Sequence, residues 1–204
     1  MPIRVGEDWG SAVTSAPTDT VVAESDADIA KFLAQGRGVI VRGGTLHSSL
    51  GAPRGNDVSR ALPVDLLEIR ARDSGRRLGI ASSSVLVRPR GRIGFLRHRI
   101  LLASNCGEFG GLSACPRAHP NDGRLDVIEV AETMSLRQRR QAWRKAITGS
   151  HLPHPALKVW AAELVEVSVE SHEQVVVDGV PITASGPINI SVLPDAGTIF
   201  IRDP

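Results

Sequence analysis

The sequence predicts an α+β protein that is mostly β: an antiparallel β-sandwich carrying one helix, preceded by a small N-terminal α/β segment. Three observations predict this class. The 204-residue chain is 42% hydrophobic and 23% charged, as globular proteins are. Only 3% of its residues are aromatic, so valine and isoleucine must supply much of the core, and these β-branched side chains favour strands. Its 20 glycines and 13 prolines supply the turns between many short strands.

The α/β segment is predicted over residues 1–61. A short helix fits DADIAKFLAQG, with Ser25 or Asp26 as the N-cap and Gly36 as the stop. The apolar run GVIV that follows predicts a buried strand, which ends at a pair of glycines. Helix followed by strand is the order expected of an α/β unit.

The sandwich is predicted over residues 62–204. The stretches VDLLEI, LGIASSSVLV, RHRILLAS and LDVIEV are typical of strands and are separated by turn residues. Val165 and Val167 alternate with polar residues, as in a strand with one buried face. QVVVDGVPIT predicts a hairpin that turns at Asp178.

One helix interrupts these strands. Ser135 and Gln138 have the spacing of a capping box, which marks the helix start. Leu136, Trp143 and Ile147 share one face of it, and a glycine follows. The sequence therefore predicts a single amphipathic helix within the sandwich.

Charge is distributed unevenly, although the net charge is only +2. Residues 1–30 hold six acids and one arginine, whereas residues 70–99 hold nine arginines and one acid. Alternation along a strand places several of these arginines on one face, which would suit phosphates or an anionic membrane surface. The candidate residues are Arg88, Arg90, Arg92, Arg97 and Arg99. The alternative is a solvated face that balances the acidic N-terminal residues. A second basic cluster contains Trp143 and is formed by Arg137, Arg139, Arg140, Arg144 and Lys145. One tryptophan makes no stacking platform for bases, so nucleic acid is not favoured.

The segment HPNDGRLDV carries the clearest candidate for a metal site. Asp122 places a carboxylate beside loop carbonyls, a donor set that suits Mg²⁺. The alternative is an Asx-turn that begins a strand. Elsewhere, His151 and His154 form an H-x-x-H pair, which we interpret as a solvated loop because no third zinc ligand is nearby. Cys106 is interpreted as a small buried thiol rather than a nucleophile.

Four elements occur in order over about residues 98–201. They are an asparagine with a glycine-rich turn, a proline-containing loop that ends in NDGRLDV, the helix SLRQRRQAWRKAITG, and a V-D-G hairpin followed by INISVLP. In this order they resemble the C-terminal domain of the bacterial diacylglycerol kinase and YegS-like lipid kinase family. The resemblance implies an ATP-dependent lipid kinase fold. It also implies a Mg²⁺ held by Asp122 and by the backbone carbonyls of His119 and Arg124.

The resemblance continues more weakly upstream. Gly43-Gly44-Thr45 stands where the family has G-G-D-G-T, and PRGNDVSR is similar to the family's P-x-G-T-x-N-D-x-A-R. The nucleotide-binding residues that the resemblance implies are Gly43, Gly44, Thr45, Gly55 and Asn56. The family's proposed base is the glutamate after D-G in the hairpin, and Val180 stands there in this chain. A valine cannot accept a proton, and the nucleotide lobe is expected to be shortened, so no catalytic residue is assigned.

We therefore predict a catalytically impaired member of the lipid kinase family that binds a lipid or another anion. The prediction keeps Mg²⁺ as a cofactor and argues against ATP. One alternative is an active ATP-dependent kinase that phosphorylates a diacylglycerol-like lipid, and another is a basic interaction module unrelated to lipids. The polar N-terminus and the presence of only two cysteines predict a cytoplasmic location. We also expect peripheral contact with a membrane and assembly into a homo-oligomer.

Overall fold

The computed structural model describes residues 9–53, 57–91 and 94–202. The chain is mostly β, with 43% strand and 14% helix in two sheets, which confirms the predicted fold class. The elements of the N-terminal segment are β1 (Ser11–Ala12), β2 (Val21–Ala23), α1 (Asp26–Ala34), β3 (Val39–Val41) and α2 (Gly44–Ser49). The later elements are β4 (Arg60–Ala71), β5 (Arg77–Ala81), β6 (Ser84–Pro89), β7 (Ile100–Ser104), β8 (Leu125–Val130), α3 (Leu136–Ala146), β9 (Leu157–Ala162), β10 (Leu164–Val169), β11 (Glu173–Val177), β12 (Val180–Ile182) and β13 (Gly186–Ile201), with a 3₁₀ turn at Gly94–Leu96.

The strands form two sheets. The first has the order β1-β4-β13-β3-β2, with β5 paired to β4 and β10 to β13. The second has the order β12-β11-β6-β7-β8-β9 and is antiparallel throughout. The long strand β13 pairs with β10 along its first half and with β3 along its second half, and a register shift between Leu193 and Gly197 separates the halves.

The N-terminal strands belong to the first sheet. β3 lies parallel to both β2 and β13, which gives this end of the sheet its α/β character. The predicted boundary between residues 61 and 62 falls inside β4, whose pairing with β13 runs across it. The division into two domains stays a prediction.

Alternating valines and isoleucines fill the space between the sheets. Val165, Val167 and Val169 are all buried in this core, while the residues between them are exposed, as the sequence pattern predicted. A second apolar cluster lies between α1 and the parallel end of the first sheet, where Ile29 and Leu33 of α1 pack. These two clusters position the loops that carry the polar groups described below.

Local signals mark most element ends correctly. The Ser25 hydroxyl accepts a hydrogen bond from the Asp28 N–H, so Ser25 is the N-cap of α1. The capping box of α3 is present as predicted. The stretch LGIASSSVLV, by contrast, is not one strand: it breaks at Ser82 and Ser83 into β5 and β6, which belong to different sheets.

Candidate functional site

The Gly43-Gly44 turn leads into α2 and faces a cleft of about 330 Å³. The cleft is lined from α1, from the glycine-rich turn at residues 110–111 and from the β11–β12 hairpin. Four acidic side chains line it, and none of its described lining residues is basic; the acids are Glu24, Asp26, Glu108 and Asp178. A cleft with this charge repels the phosphates of a nucleotide.

The N–H groups at the start of α2 are already engaged. The carboxylate of Asp26 accepts hydrogen bonds from the Thr45 N–H at 2.7 Å and from the Leu46 N–H at 3.0 Å. Gly44 has a φ of +90°, and a Cβ there would lie 2.5 Å from an Asp26 oxygen. The glycine is therefore needed so that the carboxylate can approach. Asp26 occupies the donors that a phosphate group would use.

Asp178, at the hairpin turn, is the most strongly bonded carboxylate of the cleft. Its two oxygens accept four hydrogen bonds of 2.7–3.0 Å, from the N–H groups of Ser82, Ser83 and Ser84 and from the Ser83 hydroxyl. The Ser82 hydroxyl lies 3.3 Å from Asp178 but donates to the Asp26 carbonyl at 2.9 Å. Burial raises the pKa of Asp178 above its usual 3.8. Three of the four hydrogen bonds are accepted by Oδ1 and one by Oδ2. Asp178 joins β5 and β6 to the hairpin.

Val180 does not occupy this position, because it follows the turn and its side chain is 51% exposed. The sequence predicted Asp178 only as the turn of the hairpin, and its hydrogen bonds to the serines were not predicted. The signal that would have found Asp178 is the run of three serines, whose hydroxyls need acceptors where a strand breaks.

The turn around Asp122 is held by a different acid. Asp65 of β4 is completely buried, and its carboxylate accepts hydrogen bonds from the Gly123 N–H and the Asp195 N–H, both at 2.8 Å. It also accepts one from the Asn121 amide at 3.2 Å. Burial raises the pKa of Asp65. Sequence reasoning missed Asp65 because nothing near it in the chain indicates its partners.

Asp122 itself forms an Asx-turn, the alternative left open by the sequence. Its Oδ1 accepts a hydrogen bond from the Arg124 N–H at 2.9 Å. Burial raises the pKa of Asp122, and burial together with the Asp122 charge raises that of Asp126. No group of three or more histidine, cysteine or acidic side chains suited to a metal occurs within the described residues. A carboxylate is among the oxygen donors that Mg²⁺ takes, so the magnesium site at Asp122 stays a prediction.

An apolar cavity of about 140 Å³ lies between α3 and the outer face of the second sheet. Alternate residues of the sheet form its floor, including Leu102 and Ile128. Ala142, Trp143 and Ala146 of α3 form its roof. A cavity of about 150 Å³ with such a lining can hold a benzene-sized apolar group.

His151 is the polar group that lines this cavity deepest. Its side chain is only 6% exposed, so the predicted solvated loop is wrong for this residue. The Ala114 backbone lies close enough to the ring to favour its charged form, and at least one ring nitrogen has no hydrogen-bond partner within the described residues. Burial outweighs that influence and lowers the pKa of His151. A buried, unpaired ring nitrogen is costly unless a ligand satisfies it.

Comparison with known protein families identifies the family to which this chain belongs. Residues 90–201, more than half of the chain, match the model of the YegS C-terminal NAD kinase beta sandwich-like domain. The chain belongs to the YegS-like, diacylglycerol kinase-related family. No curated protein sequence matches it significantly.

Solved structures share the fold of this YegS-like chain. A crystal structure of a diacylglycerol kinase from Bacillus anthracis superposes with a TM-score of 0.56 at 17% identity, covering 89% of this chain and 75% of the other. Another Bacillus anthracis protein assigned as a diacylglycerol kinase gives a TM-score of 0.60 at 14% identity, with 89% and 77% covered. At these identities the likeness shows the fold.

The remaining predicted site residues of the YegS-like chain are partly brought together. Arg99 donates to the buried carboxylate of Glu173 at 3.1 Å, and Arg90 donates to the Glu173 carbonyl at 3.0 Å. Arg88 lies against the Gln174 side chain, which accepts its hydrogen bond when the amide is correctly oriented. Arg97 is exposed. Gly55, Asn56 and Arg92 lie outside the described residues, and the role of the whole group stays a prediction.

The structure also bears on the interpretation of Cys106. Cys106 is fully buried, and burial raises the pKa of its thiol well above the usual value, which confirms the interpretation as a buried thiol. None of the described helices has the length and apolar character needed to span a bilayer.

Proposed function

We propose that this YegS-like protein binds a lipid without phosphorylating it. The observation that carries the proposal is the apolar cavity beneath α3, whose lining includes a buried His151 ring nitrogen that has no hydrogen-bond partner among the described residues. An alkyl chain would bury its methylene groups against Leu86, Leu102 and Ile128, at about 0.8 kcal/mol each. An ester or hydroxyl group of the lipid would pair with His151.

Two features of the cleft support the absence of phosphoryl transfer. Asp26 occupies the N–H groups at the start of α2, and the lining carboxylates repel phosphates. Asp178 accepts hydrogen bonds from Ser82, Ser83 and Ser84, and these bonds hold its carboxylate against the break between β5 and β6 as a structural link rather than as a free base.

Mg²⁺ is proposed as a structural ion on Asp122, with the carbonyls of His119 and Arg124. The ion would neutralise charge between Asp122 and Asp126, whose pKa values are raised. We expect Mg²⁺ to raise the melting temperature of the wild type relative to EDTA, and Asp122→Asn to remove that difference. An equal rise in the melting temperature of the wild type and of Asp122→Asn would show that the ion binds elsewhere.

Lipid binding is tested with a water-soluble, short-chain diacylglycerol by isothermal titration calorimetry. We expect Ala142→Phe, which fills the cavity from its roof, to weaken binding at least about tenfold, because it removes the apolar volume. Gln141→Phe is the matched control, since Gln141 is an exposed neighbour on the same helix. Equal binding by both variants, or none by the wild type, would contradict the proposal.

The active-kinase alternative is favoured by one observation, the carboxylate of Asp178 in a cleft beside Gly44. Purified protein incubated with labelled ATP, Mg²⁺ and diacylglycerol separates the two functions. We expect no labelled lipid, and no gain from Val180→Glu. Transfer that disappears in Asp178→Asn would establish the kinase instead.

A further inference from the structure

Helix α3 carries an apolar stripe on its outer surface. Leu136, Trp143 and Ile147 are 50%, 52% and 60% exposed. Leu136 lies two helical turns before Trp143, and Trp143 lies one turn before Ile147, so the three side chains lie on the same face. Within the helix only Ala146 is buried. The largest apolar side chains of α3 therefore lie largely outside the core.

A basic stripe runs beside the apolar one. Arg137, Arg140 and Arg144 are exposed and follow one another at single-turn spacing. Lys145 adds a fourth exposed cation, and the helix contains no acidic residue. A helix with exposed tryptophan and aliphatic residues beside arginines is typical of elements that lie in a membrane interface.

Arg139, which belongs to neither stripe, fixes the orientation of α3 relative to the rest of the fold. The guanidinium of Arg139 donates hydrogen bonds to the carbonyls of Met134 at 3.0 Å, Ala131 at 3.0 Å and His98 at 2.9 Å. These bonds join α3 to the segment that precedes β7, which also carries the exposed Leu96. The apolar and basic stripes are therefore held outward by the fold.

We infer that the outer face of α3 is the surface by which this protein docks on an anionic lipid bilayer. Leu136, Trp143 and Ile147 insert at the interface, and the flanking cations bind lipid phosphates. Charge complementarity selects an anionic bilayer as the occupant. Nucleic acid fits less well, because one tryptophan among aliphatic side chains offers no series of stacking platforms.

This inference goes beyond lipid binding in the cavity and does not depend on it. Trp143 belongs to both surfaces, because it lines the cavity and is also 52% exposed. Leu136, Ile147 and the basic stripe do not line the cavity and belong to the docking surface alone. The proposed docking surface also differs from the arginine stripe predicted around β6 and β7. In that stripe, Arg90 and Arg99 donate hydrogen bonds to Glu173.

The full chain is tested by sedimentation with vesicles of phosphatidylcholine, alone or mixed with phosphatidylglycerol. We expect binding only to the mixed vesicles, falling as salt rises from about 0.05 M to about 0.5 M. Arg140→Ser with Arg144→Ser should weaken binding about 25-fold, or about fivefold per cation. Arg88→Ser with Arg90→Ser is the matched control and should retain binding.

Insertion is tested separately from charge. Ile147→Ser should weaken binding, whereas Val180→Ser, at a similarly exposed valine on the hairpin, should not. Quenching of tryptophan emission by vesicles with brominated acyl chains should disappear in Trp143→Phe. Unchanged quenching in that variant would overturn insertion through α3.

Several outcomes would overturn the inference. Equal sedimentation with neutral and anionic vesicles would remove the charge argument, and a loss confined to Arg88→Ser with Arg90→Ser would move the contact to the strands. Tighter binding to a single-stranded oligonucleotide, unaffected by Ile147→Ser, would assign the surface to nucleic acid. Soluble diacylglycerol should bind Arg140→Ser with Arg144→Ser normally. A variant that loses vesicles but keeps soluble lipid therefore separates docking from the cavity.

Discussion

Replacing Asp65 by asparagine tests which carboxylate holds the NDG turn. The wild-type side chain is completely buried and accepts hydrogen bonds from the Gly123 N–H, the Asp195 N–H and the Asn121 amide. An asparagine has the same shape but turns one acceptor into an N–H₂ group. Whichever way the new amide is oriented, it sets two donors against each other at one of these contacts.

The magnitude follows from the contacts. Each hydrogen bond to a charged group contributes about 1.5–3 kcal/mol, and a buried donor left unpaired costs about 1–3 kcal/mol. Burial raises the pKa of Asp65, so desolvation of the carboxylate offsets part of this stabilisation. We therefore expect Asp65→Asn to lower the free energy of unfolding by about 2–4 kcal/mol.

Asp122→Asn is the matched control. Its carboxylate accepts one hydrogen bond, from the Arg124 N–H, and an asparagine forms the same Asx-turn. In EDTA, where no ion contributes, this variant should lose less than about 1 kcal/mol. Urea unfolding at neutral pH measures both variants, provided that the slope of the transition is unchanged.

Two results would contradict the assignment of Asp65 as the anchor of the turn. If Asp122→Asn loses as much stability as Asp65→Asn, the turn is anchored from within its own segment and the assignment to β4 is wrong. If neither variant changes the midpoint, the hydrogen bonds to Asp65 contribute nothing net.

Three further predictions concern other groups. Burial lowers the pKa of His151 below 6.5, so the folded state disfavours the charged ring and stability is lost as the pH falls below that value. His151→Phe should therefore show a smaller drop in melting temperature than the wild type between about pH 7.5 and about pH 5. An equal drop in the two proteins would show that His151 does not contribute to the pH dependence. Gly44→Ala should destabilise the fold by about 2 kcal/mol, because φ is +90° and the new methyl group would meet Asp26; a neutral effect in urea unfolding would contradict that contact. Arg99→Ala leaves the Glu173 carboxylate buried without its arginine and should cost about 2 kcal/mol, allowing for the partial exposure of Arg99. Adding Glu173→Gln should recover part of that loss, and additive losses in the double variant would refute the pairing.

Much of the fold was predictable from local patterns. The capping box at Ser135, the alternation of Val165, Val167 and Val169, and the hairpin at Asp178 each depend on residues within a few positions of one another. The order of four motifs was enough to identify the family, since it reflects the sequence of elements along the chain.

The site was less predictable, because its polar groups meet across the chain. Asp26 reaches the start of α2, Asp65 reaches the turn at Gly123, and Asp178 reaches the serines between β5 and β6. A carboxylate becomes an anchor only where packing removes it from water and supplies donors. No local pattern specifies which of the 22 acidic residues meets that condition.

Helix α3 shows the same division between sequence and structure. The sequence determined that an amphipathic helix begins after Ser135 and ends before Gly149, with Leu136, Trp143 and Ile147 on one face. It did not determine whether that face is buried, because periodicity gives the direction of a stripe relative to the helix and not to its neighbours. Packing of α3 over the second sheet through Ala146, together with the hydrogen bonds of Arg139, left that stripe exposed and buried His151 beneath it. Burial is a property of the assembled elements, and only the tertiary structure decides it.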